Sequence, residues 1–308
     1  MRDIFTPPAT RNAAVFVISI TPFDRDGALD EAGFRAHLRR LAAAGIGVYV
    51  GGGGSGEGYT LADDEMKRVV EIAVSELKGK VPVRAMGKEP RTAKEMIAFA
   101  NMAKDAGADA IQVYSLDVGH GHAPTPEELE GYFDDVLSAV KAPLVISTHQ
   151  SVGYRISSDL ISTLVKRHDN VIGVNCSHQD LGYLAAIIDG AGGKPVLVGG
   201  PMQGPVALAM GGNGYLCSEG NLAPKLCVSA IEHYTRGDLA ATMDAFGKIV
   251  RLSQTLYGAG GIRMTKAVLN SLGLPGGYPR KPRLPVADDK LAQVLKVVRS
   301  LEIPELPN

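Results

Sequence analysis

The sequence predicts an α/β protein, a (β/α)8 TIM barrel followed by a C-terminal helical subdomain. Three observations carry that prediction. Eight short apolar runs recur between Val15 and Ser218, an amphipathic or helix-starting segment follows each, and the strand pattern stops after Arg236. Short apolar runs bounded by Gly, Pro or Asp are the pattern of parallel strands buried on both faces. Eight such βα units fill the usual span of a barrel of this class.

The runs are VFVISI (15–20), VYV (48–50), VPVRAM (81–86), AIQVY (110–114), PLVIS (143–147), VIGVN (171–175), PVLVG (195–199) and GYLCS (214–218). Helices are expected over 31–44 and 63–78 after the first two. The third helix, 92–106, places Ala93, Met96, Ile97, Ala100 and Ala103 on one stripe and opens with Thr92-x-x-Glu95, a capping box. The fourth, 125–140, opens with Thr125, Pro126 and Glu128, which mark the cap, first and third positions of a helix start. Segments 158–166, 181–188, 205–210 and 222–236 complete the eight, and 205–210 is the shortest. An open doubly wound sheet is the rival, but no GxGxxG stands at the first βα turn. Beyond Arg236, residues 238–257, 261–271 and 287–300 read as three helices, with the Pro/Gly-rich GLPGGYPRKPRLP as an ordered loop. The division is thus 1–236 for the barrel and 237–308 for the helical subdomain.

Composition narrows the function classes. Among 308 residues, 32 Lys and Arg stand against 33 Asp and Glu, a net charge of −1, so there is no electrostatic case for nucleic acid or an anionic membrane. No apolar run approaches the roughly 20 residues of a membrane helix. The start, MRDIFTPPATRN, lacks the apolar stretch of a signal peptide, and the expectation is a cytoplasmic protein. Cys176, Cys217 and Cys227 form no CxxC pair, which argues against a disulfide scaffold or a cysteine zinc site.

In a barrel of this class the chemistry sits at the C-terminal ends of the strands. After the second run comes VGGGGSGEGYTL, where small residues let backbone N–H groups approach an anion and Ser55 adds a hydroxyl. A tight turn without a ligand would use the same glycines.

Taken with Thr21-Pro22-Phe23 after the first run, AKDAGADAIQV and GGNGYLCSEGNLAPK, this loop resembles the dihydrodipicolinate synthase / N-acetylneuraminate lyase family. The resemblance spans nearly the whole chain. It implies a barrel with a helical tail, association as a homo-oligomer (a tetramer or dimer), and cleavage or condensation of 2-oxo acids through a lysine Schiff base. The family's Gly-Thr-Thr-Gly-Glu motif maps onto Gly53 to Glu57. The resemblance therefore implies a small-molecule carboxylate seated on Gly54, Ser55 and Gly56, with Gly199 and Leu216 lining the pocket. Gly54 stands where the family has a proton-relay threonine, and it carries no hydroxyl.

The same resemblance exposes what is missing. The family's lysine at the end of the sixth strand becomes Asn175, and an amide cannot form an iminium with a ketone. The tyrosine pair after the fourth strand becomes Asp117 and Val118, with Tyr114 three residues earlier. The tyrosine after the fifth becomes Ser147.

Four of the 7 histidines fall on the predicted active face: His120 and His122 after the fourth run, His149 after the fifth, His178 after the sixth. His37, His168 and His233 read as surface residues. Two chemistries fit. In one, some of His120, His122, His149 and His178 bind a divalent metal, with Asp117 or Glu57, and the metal polarises a carbonyl or enolate oxygen. In the other, His149 and His178 are metal-free acid and base while Asn175 donates to an oxyanion. Neither is excluded by the residues, and no cofactor is required. Lys88 could be a relocated Schiff-base amine if burial lowered its pKa, or with Arg91 could hold a second carboxylate. Arg263 and Lys266 read as structural, and Tyr132 and Phe133 as packing. The leading expectation is a divergent lyase acting on a small carboxylate, a 2-oxo acid. The alternatives are a catalytically silent carboxylate-binding or regulatory protein, or a metal-dependent lyase or hydrolase using the strand-end histidines.

Overall fold

The structure is a computed structural model that describes residues 13–149 and 152–306. Eight strands close a barrel in the order β1 to β8. They are β1 (Ala14–Ile18), β2 (Gly47–Val50), β3 (Val83–Ala85), β4 (Ala110–Val113), β5 (Leu144–Thr148), β6 (Val171–Cys176), β7 (Val196–Gly199) and β8 (Gly214–Cys217). Pairing is parallel, with Phe16 opposite Gly47, Val113 opposite Ile146, Ser147 opposite Asn175, and Gly199 opposite Leu216. Most strand residues are buried, the outcome expected when helices cover the outside and side chains fill the inside.

The intervening helices are α1 (Glu31–Ala43), α2 (Asp63–Leu77), α3 (Ala93–Asp105), α4 (Pro126–Ala139), α5 (Ser158–Arg167), α6 (Leu181–Gly190), α7 (Gly204–Ala209) and α8 (Pro224–Thr235). Three more follow: α9 (Leu239–Gly258), α10 (Ile262–Ser271) and α11 (Asp288–Ser300). At α4 the expected capping box is complete. Thr125 Oγ1 accepts from the Glu128 amide at 3.3 Å, and Glu128 returns the bond to the Thr125 amide at 2.7 Å. At α3 only half the box forms. Thr92 accepts from the Glu95 amide, but the Glu95 carboxylate takes the Arg91 amide instead, at 2.8 Å. At α8 the cap residue Ala223 has no polar side chain. Glu305, near the chain end, accepts from the Lys225 and Leu226 amides at 3.1 and 2.8 Å in its place.

Two compact units emerge from the contacts. Among the described residues, one comprises 15–83 and 217–306, the other 13–14, 84–149 and 152–216. In the first, Ile20 beyond β1 packs with Leu222, Leu252, Met264, Val268 and Val298 in a core that ties α9, α10 and α11 to the strand end. Each such side chain contributes about 1.5–3 kcal/mol when fully buried.

This unit also corrects the expectation for His37. It is fully buried, not a surface residue, and lies on the Phe34, His37, Leu38, Leu41 face of α1. Asn221 Oδ1 accepts from the Ile20 amide and faces His37 Nε2, both at 2.9 Å, so Nε2 is the donor. Burial, reinforced by the charge of Arg40, pulls the His37 pKa down to about 3. In the other unit, His168 is half-buried and pairs with Asp134 at 2.7 Å. Among the described residues no helix is long and apolar enough to cross a membrane.

Candidate functional site

The loop after β2 is held by its own backbone and by one buried ion pair. The Gly58 amide donates to Gly52 O at 3.1 Å. A Cβ on Gly56 would lie 2.8 Å from Gly52 O, and one on Gly58 2.0 Å from Gly51 O, so both positions require glycine. Gly54 is exposed and open, Ser55 and Gly56 are buried. Glu57 adopts a left-handed backbone, φ 50°, unusual outside glycine. Its side chain is fully buried and ion-paired with Lys266 of α10. The Lys266 ammonium also donates to Thr21 O at 2.8 Å and Tyr278 O at 3.0 Å. Burial lowers the Lys266 pKa, while Glu57 opposes that shift. With these acceptors engaged, Lys266 is structural, as expected, and Glu57 is committed to it rather than to a metal. The Ser55 hydroxyl faces Ser218 Oγ at 2.6 Å, and Ser218 Oγ faces Tyr257 Oη at 2.7 Å.

In the other unit the ends of β3 to β7 carry the remaining expected residues. Asn175, at the end of β6, is buried and donates through Nδ2 to Gln112 Oε1 of β4 at 2.6 Å. Two amides thus occupy the barrel interior at this level. Tyr114 is buried just past β4, and its carbonyl accepts from the Tyr132 hydroxyl at 2.7 Å. The ring of His149, just past β5, meets Tyr114 edge-on at 5.7 Å between centroids. His149 Nδ1 lies 3.4 Å from Glu89. Burial lowers the His149 pKa, and Glu89 opposes.

His178, past β6, meets Tyr183 edge-on at 4.9 Å, and the Arg155 guanidinium caps that tyrosine from 4.9 Å. His178 Nε2 is buried, with no hydrogen-bond partner among the described residues. Burial is the main cause of its lowered pKa. Arg155 and His149 add to the shift, and Asp180 opposes. His149 and His178 are therefore within electrostatic reach of one another, and both are neutral near pH 7. Neutral imidazoles can accept protons, so this pair is suited to act as base. Gly199 needs to be glycine, because a Cβ there would lie 2.4 Å from Ser177 Oγ. Leu216 is buried at the end of β8.

Other expected residues are not drawn together. Lys88 is exposed past β3, so the burial that a relocated Schiff-base amine needs is absent. Arg91 faces Asp117 at 3.7 Å. His120 and His122 are exposed and line a cavity of about 530 Å³ with Arg91, Asp117 and Glu128. Among the described residues no group of three or more His, Cys, Asp or Glu side chains could hold a metal ion. His120, His122, His149 and His178 do not assemble into the site that one reading expected.

Several residues absent from the sequence reading belong to these clusters. Gln112 had a signal, a polar residue inside the apolar run AIQVY at the phase of an inward position. Ser218 and Tyr257 had none, since nothing local marks a serine past a strand or a tyrosine on an amphipathic helix as neighbours.

The sequence model described as the Dihydrodipicolinate synthetase family matches residues 11–301. The chain belongs to this family. It is 32% identical over 286 residues to a 4-hydroxy-tetrahydrodipicolinate synthase of Phenylobacterium zucineum, covering 91% of this chain and 94% of that one. It is 30% identical to the enzyme of the same name from Methanopyrus kandleri, covering 88% and 90%. Among solved structures, a prophage protein of E. coli from the dihydrodipicolinic acid synthase family, in complex with pyruvate, superposes with a TM-score of 0.86. The two share 25% identity, and the match covers 94% of this chain and 99% of that one.

Proposed function

We propose that the chain is a divergent lyase of the dihydrodipicolinate synthetase family that takes a small 2-oxo acid and works without a lysine Schiff base. The observation that carries this reading is Asn175. It is buried at the end of β6 and bonded to Gln112, at the position the resemblance gives to the iminium-forming lysine. An amide nitrogen is not nucleophilic enough to replace that amine. The names of the relatives and the pyruvate complex of the E. coli protein support a 2-oxo acid as the substrate class. In this reading the carboxylate sits on Gly54, Ser55 and Gly56. The candidate substrate-lining residues are Gly199, Leu216, Tyr114 and Lys88, and Asn175 is the candidate N–H donor to a ketone oxygen.

The chemistry follows from the neutral imidazoles. His149 or His178 removes a proton from the carbon next to the ketone. The electron pair of that C–H bond forms the enolate double bond, and the negative charge settles on the ketone oxygen, where Asn175 faces it. Reprotonation restores the starting acid. Carbon–carbon cleavage is the same electron flow run from a bond to carbon.

Proton NMR of pyruvate in D2O tests this without a known co-substrate. The expected result is enzyme-dependent loss of the methyl signal, reduced at least tenfold in Asn175→Ala and in His149→Ala/His178→Ala. Borohydride added with pyruvate should leave the protein mass unchanged. A reduced pyruvate adduct on any lysine would overturn the Schiff-base-free mechanism. Tight pyruvate binding with no exchange would instead establish a silent binding protein.

A further inference from the structure

Three hydroxyls in a row, none of them from the strand-end histidine cluster, surround the glycine loop. Ser55, buried, is 2.6 Å from Ser218, and Ser218 is 2.7 Å from Tyr257 on α9. Each hydroxyl has one proton to donate, so the chain must run in one direction at a time. Beside it lies Glu219, a fully buried carboxyl, whose Oε2 accepts from the Ser218 amide at 3.1 Å. Burial raises the Glu219 pKa, and Ser253 opposes by donating a hydrogen bond. Burial also raises the Tyr257 pKa; Glu219 adds to the shift, while the Ser218 and Ser55 hydroxyls oppose it. Although Tyr257 as a residue is 58% exposed, its hydroxyl meets Ser218 Oγ.

We propose that Tyr257 and Ser218 are positioning residues for anion recognition: the order Tyr257 to Ser218 to Ser55 leaves the Ser55 proton pointing at a ligand carboxylate. The inference rests on the carboxylate reading of the loop and extends it to α9. In the reverse order the Tyr257 oxygen accepts, whereas in the proposed order the phenol heads the chain by donating its one proton to Ser218. Ser218 then donates to Ser55, and the Ser55 proton is left for the ligand. Polarisation along such a chain strengthens the terminal bond, and in the free protein Ser55 can turn back toward Tyr257. Gly54 lacks a hydroxyl, so between Gly53 and Glu57 Ser55 is the side-chain hydroxyl donor available to the ligand.

The test compares pyruvate with pyruvamide, its neutral amide, by isothermal titration. Wild type should prefer pyruvate. In Tyr257→Phe and in Ser218→Ala that preference should fall about three- to tenfold, the size of one hydrogen bond, and the double variant should lose no more than the worse single one. An unchanged preference in Tyr257→Phe overturns the proposal, as does full additivity in the double variant. A second readout uses protein labelled with 13C at the tyrosine ζ carbon, the Tyr257 line being assigned from Tyr257→Phe. The line should move in Ser218→Ala and stay in Ser218→Thr, which keeps the hydroxyl. If wild type fails to prefer pyruvate, the carboxylate reading falls. The Tyr257 line still decides the chain: movement in Ser218→Ala alone supports it, and no movement overturns it.

Discussion

Replacing Lys266 with methionine should be among the most damaging single changes on the glycine-loop side of the barrel. The methionine fills similar volume, so packing around Phe23 and α10 is largely kept while the charge is removed. Glu57 is then left fully buried without its ammonium partner, and the Thr21 and Tyr278 carbonyls lose their donor. Removing one partner of a buried ion pair costs about 3–5 kcal/mol. Unfolding entropy of roughly 2 cal/mol/K per residue, over 308 residues, gives about 1.5 °C of Tm per kcal/mol. The expected loss in Tm is therefore about 5–8 °C, measured by calorimetry because the chain contains no tryptophan. The double variant Glu57→Gln/Lys266→Met removes both charges and should recover at least half the loss. Pyruvate binding should weaken in the single variant, because Glu57 holds its left-handed turn next to Ser55. A Tm change within 1.5 °C in Lys266→Met, or no recovery in the double variant, would refute the claim that this pair anchors the loop.

Other expectations follow from the same structure. His37 has a pKa near 3 in the fold against 6.5 when exposed. The unfolded chain therefore binds an extra proton as pH falls below about 6.5, and stability drops by about 1.4 kcal/mol per pH unit. Urea unfolding at pH 7 and pH 5 should show about 2 kcal/mol of this loss, and His37→Gln should show that much less; equal slopes in both proteins would refute it. The lowered pKa values of His149 and His178 mean that pyruvate deuterium exchange should fail on the acid side only below pH 6.5. A midpoint above pH 7 would rule out both as the base. Gly56→Ala should cost about 1–3 kcal/mol, since its Cβ would press on the Gly52 backbone. Pyruvate titration should show affinity lost along with stability, and a variant that binds like wild type would show that the loop can yield.

The fold was legible because its signals are local. Each strand run is short, apolar and punctuated by Gly, Pro or Asp, and the observed strands start and stop within about two residues of the expected bounds. Thr125-Pro126-Glu128 started α4 as read. At α3, Glu95 had two neighbouring amides within reach and took that of Arg91, a choice that spacing cannot settle. His37 was misread although its phase with Phe34, Leu38 and Leu41 placed it on the buried face. Periodicity along α1 decides its place, and Asn221 supplies the acceptor that makes burial tolerable. The site was legible only as strand ends. That Asn175 would meet Gln112, or Ser55 meet Tyr257, depends on partners 63 and about 200 positions apart. The four histidines looked like a metal set because they share one end of the barrel, but sharing an end does not set a distance.

The buried pair between Glu57 and Lys266 also orders events in time. A ribosome makes the glycine loop early and its counter-ion 209 residues later. All eight strands exist as polypeptide well before that lysine emerges. Until then the Glu57 carboxylate has no buried counter-ion, so the β2 loop cannot close in its final form. A chain cut after residue 236 would carry every strand of the barrel and still lack the cation its loop needs. In this protein the helical tail completes the folding of a loop that the first quarter of the chain began.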